Sequence, residues 1–313
     1  MTKDPVTNLP ASIHQRLLDL DPKRIYDFTP VLRRYAFERW LYRLGKSEYA
    51  EQFIVKGAML FVVWTGDVSR KTMDLDLWGA GDLTEAGLRD AFLTVGRTNV
   101  EPDGLIFIMN AIVVEPIRDE AEFHGLRARF SARLGNIRIP MQVDIGIGDR
   151  IWPEPEYILY PTLLDMPAPR VQACRKETTI AEKFASMIDL GITNSRMKDF
   201  YDIAVLGDLF SFRGLELQKA IQTTLMGKAL GSLIEQPVAL TDGFAQDRDK
   251  NIQWVAFLRR MGKSPQGMPL TQAVEKIRRF LQPVLTSLNE QKEFDAFWPA
   301  GGPWRPQEKE RDG

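Results

Sequence analysis

The chain has 313 residues, of which 44% are hydrophobic and 27% charged, and its 41 Lys and Arg against 42 Asp and Glu leave a net charge of −1. These values describe an ordinary globular protein with material for one large core or two smaller ones, and they exclude a polycation that coats nucleic acid over its whole surface. One cysteine, Cys174, forbids an internal disulfide and suits a reducing compartment; residues 1–5 lead into polar sequence without an apolar signal core, and no apolar run is long enough to span a bilayer, so a cytoplasmic protein is expected.

Residues 11–48 read as a helical opening, because Leu32, Tyr35, Ala36, Trp40, Leu41 and Leu44 recur at helical spacing. Residues 52–56 read as a short buried strand, and Gly57 opens a helix that carries Met59, Leu60, Val62, Val63 and Trp64. A turn at Gly66 and Asp67 leads to the segment Arg70-Lys71-Thr72-Met73-Asp74-Leu75-Asp76-Leu77. Polar residues at 72, 74 and 76 alternate there with apolar ones at 73, 75 and 77, the period of a half-buried strand. Residues two apart on a strand point the same way, so Asp74 and Asp76 leave one face together. Two anions this close repel unless a cation neutralises them, and a divalent metal bound by oxygen ligands is one answer. Read alone, the same pair equally describes a strand end carrying solvated acids.

A further helix is expected over 84–98 and an apolar strand over 105–114. Residues 126–147 read as a hairpin: Leu126, Ala128, Phe130, Ala132 and Leu134 alternate with Arg127, Arg129, Ser131 and Arg133, and Gly135-Asn136 makes a two-residue turn. Counting outward from that turn sets Leu134 against Ile137, Arg133 against Arg138, Arg129 against Gln142 and Arg127 against Asp144. Like charges directly opposed are unfavourable, so Arg133 and Arg138 point to an anionic ligand, with splayed solvated side chains as the alternative. Arg127, Arg129 and Arg133 are thus candidate RNA or phosphate contacts. Pro140 predicts an edge position or a bulge.

The Pro-rich stretch 152–169 reads as a linker, after which the pattern becomes helical. Thr179 and Glu182 have capping-box spacing, Gly191 offers a stop, and Ser195 is placed to cap a second helix over 196–206. More helices are expected near 215–235, 252–262 and 271–290. The division predicted is N-terminal helices at 1–50, an α/β domain at 51–165, a helical domain at 166–298 and a disordered tail at 299–313. On the two helices after the linker, Lys183 flanks an apolar stripe, and Asp199 and Asp202 are three apart, hence neighbours. Pattern alone favours a solvated face with an ordinary ion pair. His14 and His124 lack partners at zinc spacing, and neither G-x-S-x-G nor a dinucleotide fingerprint is present. Cys174, beside Arg170, Arg175 and Lys176, reads as structural.

The Gly57 block with Arg70 to Leu77, the strand Gln142-Val143-Asp144-Ile145-Gly146, and Ala181-Glu182-Lys183 with Ser195 to Asp202 together resemble the AbiEii/AbiGii toxin family of nucleotidyltransferases, which includes the MenT toxins. The resemblance implies an α+β fold of the DNA-polymerase-β-like nucleotidyltransferase kind, with a mixed sheet and a C-terminal helical domain. It implies Mg²⁺ dependence, an NTP substrate, an RNA acceptor such as the tRNA 3′ end, and a separate antitoxin protein. By position Asp74 and Asp76 would be metal ligands, Lys183 the essential lysine and Asp199 the later essential aspartate. Asp144 stands where the wider superfamily places its third carboxylate, and the sequence leaves open whether Asp144 or Asp199 completes the set. Lys56, Gly57, Ala58, Arg196 and Lys198 would bind nucleotide. The superfamily's Gly-Ser is Gly57-Ala58 here, so phosphate contact must come from backbone N–H groups or Lys56. Two rival readings are an enzyme that nucleotidylates a protein and a non-catalytic module of the same fold that binds RNA or a partner.

Overall fold

The apolar stripe of the first fifty residues forms two helices, α1 (Leu9–Leu18) and α2 (Phe28–Lys46), in the computed structural model, which describes residues 8–20, 28–66, 74–81, 83–117, 125–148, 151–228, 230 and 236–307. The chain divides into two compact units, Met1–Asp149 with Glu156–Ala173, and Arg150–Pro155 with Cys174–Gly313. The opening helices therefore belong with the sheet, and the boundary falls after Ala173.

The first unit continues with β1 (Phe53–Lys56), α3 (Ala58–Thr65), β2 (Leu75–Gly79), α4 (Glu85–Arg97), β3 (Leu105–Pro116), β4 (Gly125–Leu134), β5 (Ile137–Ile147), β6 (Glu156–Leu159) and β7 (Arg170–Ala173). Among the described residues these strands form one mixed sheet in the order β3-β4-β5-β2-β1-β7-β6, with β2 parallel to β5 and β1 parallel to β7. Trp40 of α2 fills the helix-covered face, its ring 5.1 Å from Phe92, 5.2 Å from Phe107 and 4.7 Å from Phe130. Helix α4 presents Leu88, Ala91, Phe92 and Val95 to the same core and starts at Thr84, whose hydroxyl accepts from Gly87 N–H at 3.0 Å.

The opposite side of α2 is buried as well, and it carries charge. Arg43 donates to both oxygens of Asp103, Arg39 donates to the Pro167 carbonyl at 2.9 Å, and Glu38 accepts the Leu163 N–H at 2.8 Å. The Arg39 and Glu38 bonds fasten the Pro-rich stretch to α2, which corrects its reading as a linker. Its apolar run Tyr157-Ile158-Leu159 becomes edge strand β6, antiparallel to β7.

The hairpin register is the one counted from the sequence: Leu134 faces Ile137, Arg133 faces Arg138, Arg129 faces Gln142 and Arg127 faces Asp144. Gly135 takes the left-handed φ of 58° that the turn demands. Pro140 lies in a strand flanked on both sides, yet β2 pairs with β5 only from Val143 onward, so the missing N–H interrupts no ladder toward β2. The bulge is in β3, where pairing to β4 shifts between Ile108 and Val113.

The second unit holds α5 (Lys176–Leu190), α6 (Met197–Leu209), β8 (Phe212–Arg213), α7 (Gly214–Gly227), α8 (Asp242–Gln246), α9 (Arg248–Arg260), α10 (Leu270–Asn289), β9 (Ala296–Trp298) and β10 (Arg305–Pro306). Two caps differ from expectation. Helix α5 begins three residues before Thr179, so no capping box forms, and Thr178 instead donates to the Trp152 carbonyl at 2.9 Å. Helix α6 begins after Arg196, whose N–H donates to Asn194 Oδ1 at 2.8 Å in place of a Ser195 cap. Residues 299–307 are not a disordered tail. Trp304 stacks on Phe280 with ring centroids 5.8 Å apart and donates to its carbonyl at 2.8 Å, and Arg305 and Pro306 pair with β9. A run of Gly and Pro hides this, because its single tryptophan, Trp304, makes the ring contacts, with Phe280 and with Trp298 of β9. Residues 229 and 231–235 of the helix expected near 215–235 and 308–313 of the tail lie outside the described residues. The chain is α+β, a mixed sheet followed by a helical region.

Candidate active site

Five neighbouring strands place one charged residue each in a single row. Glu115 on β3 pairs with Arg127 on β4, Arg127 with Asp144 on β5, Asp144 with Asp76 on β2, and Asp76 with Lys56 on β1. Residues paired across a sheet share a face, so the row is a stripe of charge opposite the Trp40 core. Asp76 alternates with buried Leu75 and Leu77, as the period-2 pattern requires. Asp74 immediately precedes β2 and is half-buried like Asp76. Thr72 and Met73, with the rest of the segment from Asp67, lie outside the described residues.

Gly57 stands at the start of α3 with φ 72° and ψ −150°, a conformation that side chains disfavour. A Cβ on Gly57 would collide with Asp76 Oδ2. The glycine therefore serves two ends: it turns the chain from β1 into α3, and it lets that turn close against the aspartate. No side chain caps α3, so its first N–H groups present the positive end of a helix beside Asp76. Ala58 is the first residue of that helix. Lys56 is largely buried, and its ammonium lies 5.2 Å from the centroid of the Trp78 ring. It also crosses toward β5, where a Cβ on Gly146 would meet Lys56 Nζ at 3.2 Å.

Asp144 is held by Arg127 through two charge-assisted bonds, Nε to Oδ1 and Nη2 to Oδ2, both 2.7 Å. Arg129 donates to Gln142 at 3.3 Å and pairs closely with Glu115, while Arg138 donates to Ser131 at 3.0 Å. Arg133 is exposed. Among the described residues no three His, Cys, Asp or Glu side chains converge on a common point.

In the second unit Lys183 of α5 reaches two carboxylates of α6, Asp199 Oδ1 at 2.7 Å and Asp202 Oδ2 at 2.9 Å. Asp199 also accepts from Arg196 Nε at 2.8 Å. Both carboxylates are inside, at 0% and 1% exposed, whereas Arg196 is 48% exposed. Burial pushes the Asp199 carboxyl up, and the Lys183 ammonium followed by Arg196 and Lys198 overcome it, holding the group below the usual carboxylate range. The pair is thus a buried bridge between helices and not the solvated helix face that the pattern favoured. Sequence reasoning also missed Trp78 and Glu115. The period-2 spacing that found Asp76 would have put Trp78 on its face, and the β3–β4 register that places Glu115 needs the bulge.

Comparison with known proteins adds the family. The family described as Nucleotidyl transferase AbiEii toxin, Type IV TA system matches residues 39–282. No curated protein matches the chain. Among solved structures, MenT4, a nucleotidyltransferase toxin from Mycobacterium tuberculosis H37Rv, is similar at 15% identity and a TM-score of 0.49, covering 91% of this chain and 99% of that one. JHP933 from Helicobacter pylori is similar at 14% identity and a TM-score of 0.45, covering 84% of this chain and 92% of that one. The family match spans most of the chain and includes β1, α3, the aspartate strand, the hairpin and the Lys183 bridge. The chain belongs to the AbiEii nucleotidyltransferase toxin family of type IV toxin–antitoxin systems.

Proposed function

We propose that the protein is a Mg²⁺-dependent cytoplasmic toxin that transfers a nucleotide from an NTP to the 3′ hydroxyl of an RNA, with the tRNA 3′ end as acceptor and a cognate antitoxin as partner. The observation that carries this reading is the meeting of Asp76 with the Gly57 turn at the head of α3, inside the charged row. Helix N-termini bind phosphate through backbone N–H groups, and here the hydroxyl of the usual Gly-Ser is replaced by the methyl of Ala58. The α3 N–H groups and Lys56 hold the triphosphate, and Asp74 and Asp76 hold the cation that accompanies it.

The donor set fits such an ion. Mg²⁺ is commonly bound by one or two carboxylates plus substrate phosphates and retained waters, and Asp74 and Asp76 are hard oxygen donors with partial access to solvent. When bound, Mg²⁺ neutralises charge at the α-phosphate and makes the acceptor hydroxyl more acidic. Both Asp144 oxygens are engaged by Arg127, so in this reading Asp144 anchors Arg127 and leaves the cation to Asp74 and Asp76. Arg127 is then a fixed cation one strand beyond Asp144, pre-oriented for developing negative charge. Lys183 is a positioning residue: it fixes Asp199, which orients Arg196. Arg196 and Lys198 are the cations of the second unit proposed to meet anionic substrate.

The test is incubation of purified protein with total RNA and each labelled NTP, with and without Mg²⁺. Label in a nuclease-sensitive, alkali-labile band that requires Mg²⁺ is expected. Label in a protease-sensitive band would replace the RNA acceptor by a protein, and toxicity that persists in an Asp76→Asn variant would replace catalysis by binding.

A further inference from the structure

The face that carries Asp74 and Asp76 extends well past them. Along β4 it runs through Arg127, Arg129, Ser131 and Arg133, and along β5 through Asp144, Gln142, Pro140 and Arg138, in paired register. At about 3.3 Å per residue the run from Arg127 to Arg133 covers roughly 20 Å. Two clefts lie along it. One, of about 380 Å³, has Asp74 in its wall together with Arg33, Arg129, Arg138 and Val113. The next, of about 430 Å³, is walled by Arg97, Arg133, Ile106 and Asn110, and Ile108 borders both. The β3 bulge between Ile108 and Val113 lies beside them.

The chemistry of the strip is mixed in a regular way. Ile106 is 57% exposed and Val113 51% exposed, and they pair with Arg133 and Arg129 respectively. Each apolar residue on β3 thus stands beside a cation on β4, and exposed Pro140 stands on β5 between Gln142 and Arg138. Ile106 and Val113 leave apolar surface exposed on this face. At its far end exposed Arg133 faces exposed Arg138, which donates to a hydroxyl and not to a carboxylate, so positive charge is left over there while Arg129 is answered by Glu115. A polyanion with flat apolar groups at regular intervals satisfies both. A duplex offers its phosphates but keeps its base faces stacked inside, whereas an unpaired strand exposes phosphates and bases together.

We propose that this strip is the track of the acceptor, a single-stranded RNA 3′ end that runs along the β3–β4–β5 face from Arg133 and Arg138 to Asp74. Arg133, Arg138 and Arg97 take phosphates, and Ile106, Val113 and Pro140 take base or ribose faces. Glu115 tempers the strip, since it pairs with Arg129 at the end nearer the aspartates. The proposal rests on the reading of Asp74 and Asp76 as the reaction centre, but not on turnover.

The test is equilibrium binding, by fluorescence anisotropy over a salt series, of a short single-stranded RNA with a free 3′ hydroxyl and of the same RNA in a blunt duplex. Single-stranded RNA is expected to bind the intact protein more tightly than the duplex. In the Arg133→Ala/Arg138→Ala variant its binding should weaken about tenfold, and the log–log salt slope should flatten by about 1.4, near 0.7 for each lost contact. Glu115→Gln should tighten binding and steepen the slope by releasing Arg129. An unchanged slope in the arginine variant overturns the proposal. So does a loss confined to NTP affinity, or a loss of binding to an acidic protein partner while RNA binding is intact. Normal RNA binding without nucleotide transfer by the unsubstituted protein would leave the track standing and remove the transferase reading. Transfer with an acceptor KM unaffected by the arginine substitutions would do the reverse.

Discussion

Lys183 donates to Asp199 at 2.7 Å although Asp199 has no exposed surface. Asp202, 1% exposed, lies 2.9 Å from the same ammonium, so one cation answers two interior carboxylates on the neighbouring helix. Breaking a buried ion pair by removing one partner is far more damaging than its net stabilisation implies, because the other charge stays buried. Lys183→Ala should therefore destabilise the protein by about 3–5 kcal/mol, measured by denaturant unfolding. A surface pair would lose about 0–1 kcal/mol, and a loss that small would refute the bridge. Adding Asp199→Asn should restore part of the stability, because it removes one of the two buried carboxylates, the one whose remaining contact, Arg196, is half exposed.

Asp76→Asn separates chemistry from folding. The amide keeps the shape beside Gly57 but loses a charge next to Asp144. Transfer should fall by orders of magnitude while the fold survives, and near-normal turnover at limiting Mg²⁺ would sink the assignment of Asp76.

Gly57→Ala should fail locally. The left-handed φ of 72° disfavours any side chain, and the new methyl would collide with Asp76 Oδ2. Strain of about 1–3 kcal/mol is expected from the backbone conformation alone. Relief of the clash must displace either the aspartate or the head of α3, so NTP affinity should drop more than stability does. Titration with a non-hydrolysable NTP beside a melting curve checks the two effects separately.

Glu38 supplies a pH signature. Burial drives its carboxyl up to about 7, against the Leu163 N–H and Arg39, which lower it. The folded state then holds a proton that the unfolded chain releases near its ordinary value of 4.5. Stability from this group is complete below that value, falls as pH rises from there toward 7, and is level above. Glu38→Gln keeps an acceptor for Leu163 and removes the titration. The variant should gain on the parent protein between pH 5 and 8, by up to about 3 kcal/mol. A constant difference across that range would show that Glu38 does not titrate in the window.

The sequence by itself determined which residues share a face. Alternation in 126–147 and the turn at Gly135 fixed the pairing of Arg127 with Asp144, because a one-residue slip would send every apolar side chain of the hairpin to the wrong side. The same alternation aimed Asp76 away from Leu75 and Leu77, and the Gly57 block was readable because only glycine tolerates that turn. Tertiary structure decided how deeply charges lie and which distant segments meet. Nothing local to α5 distinguishes a solvated Lys183 from a buried one, since its burial depends on the packing of α6 against α5. Residues 156–159 and 170–173 are too short and too flanked by proline to declare themselves as strands, and they form because β1 offers an edge and Glu38 and Arg39 fix the intervening segment to α2. Trp304 likewise orders a Gly- and Pro-rich terminus through contacts with Phe280 and Trp298. Periodicity is a property of neighbours along the chain, whereas the energy of a buried charge or ring is set by elements far away in sequence.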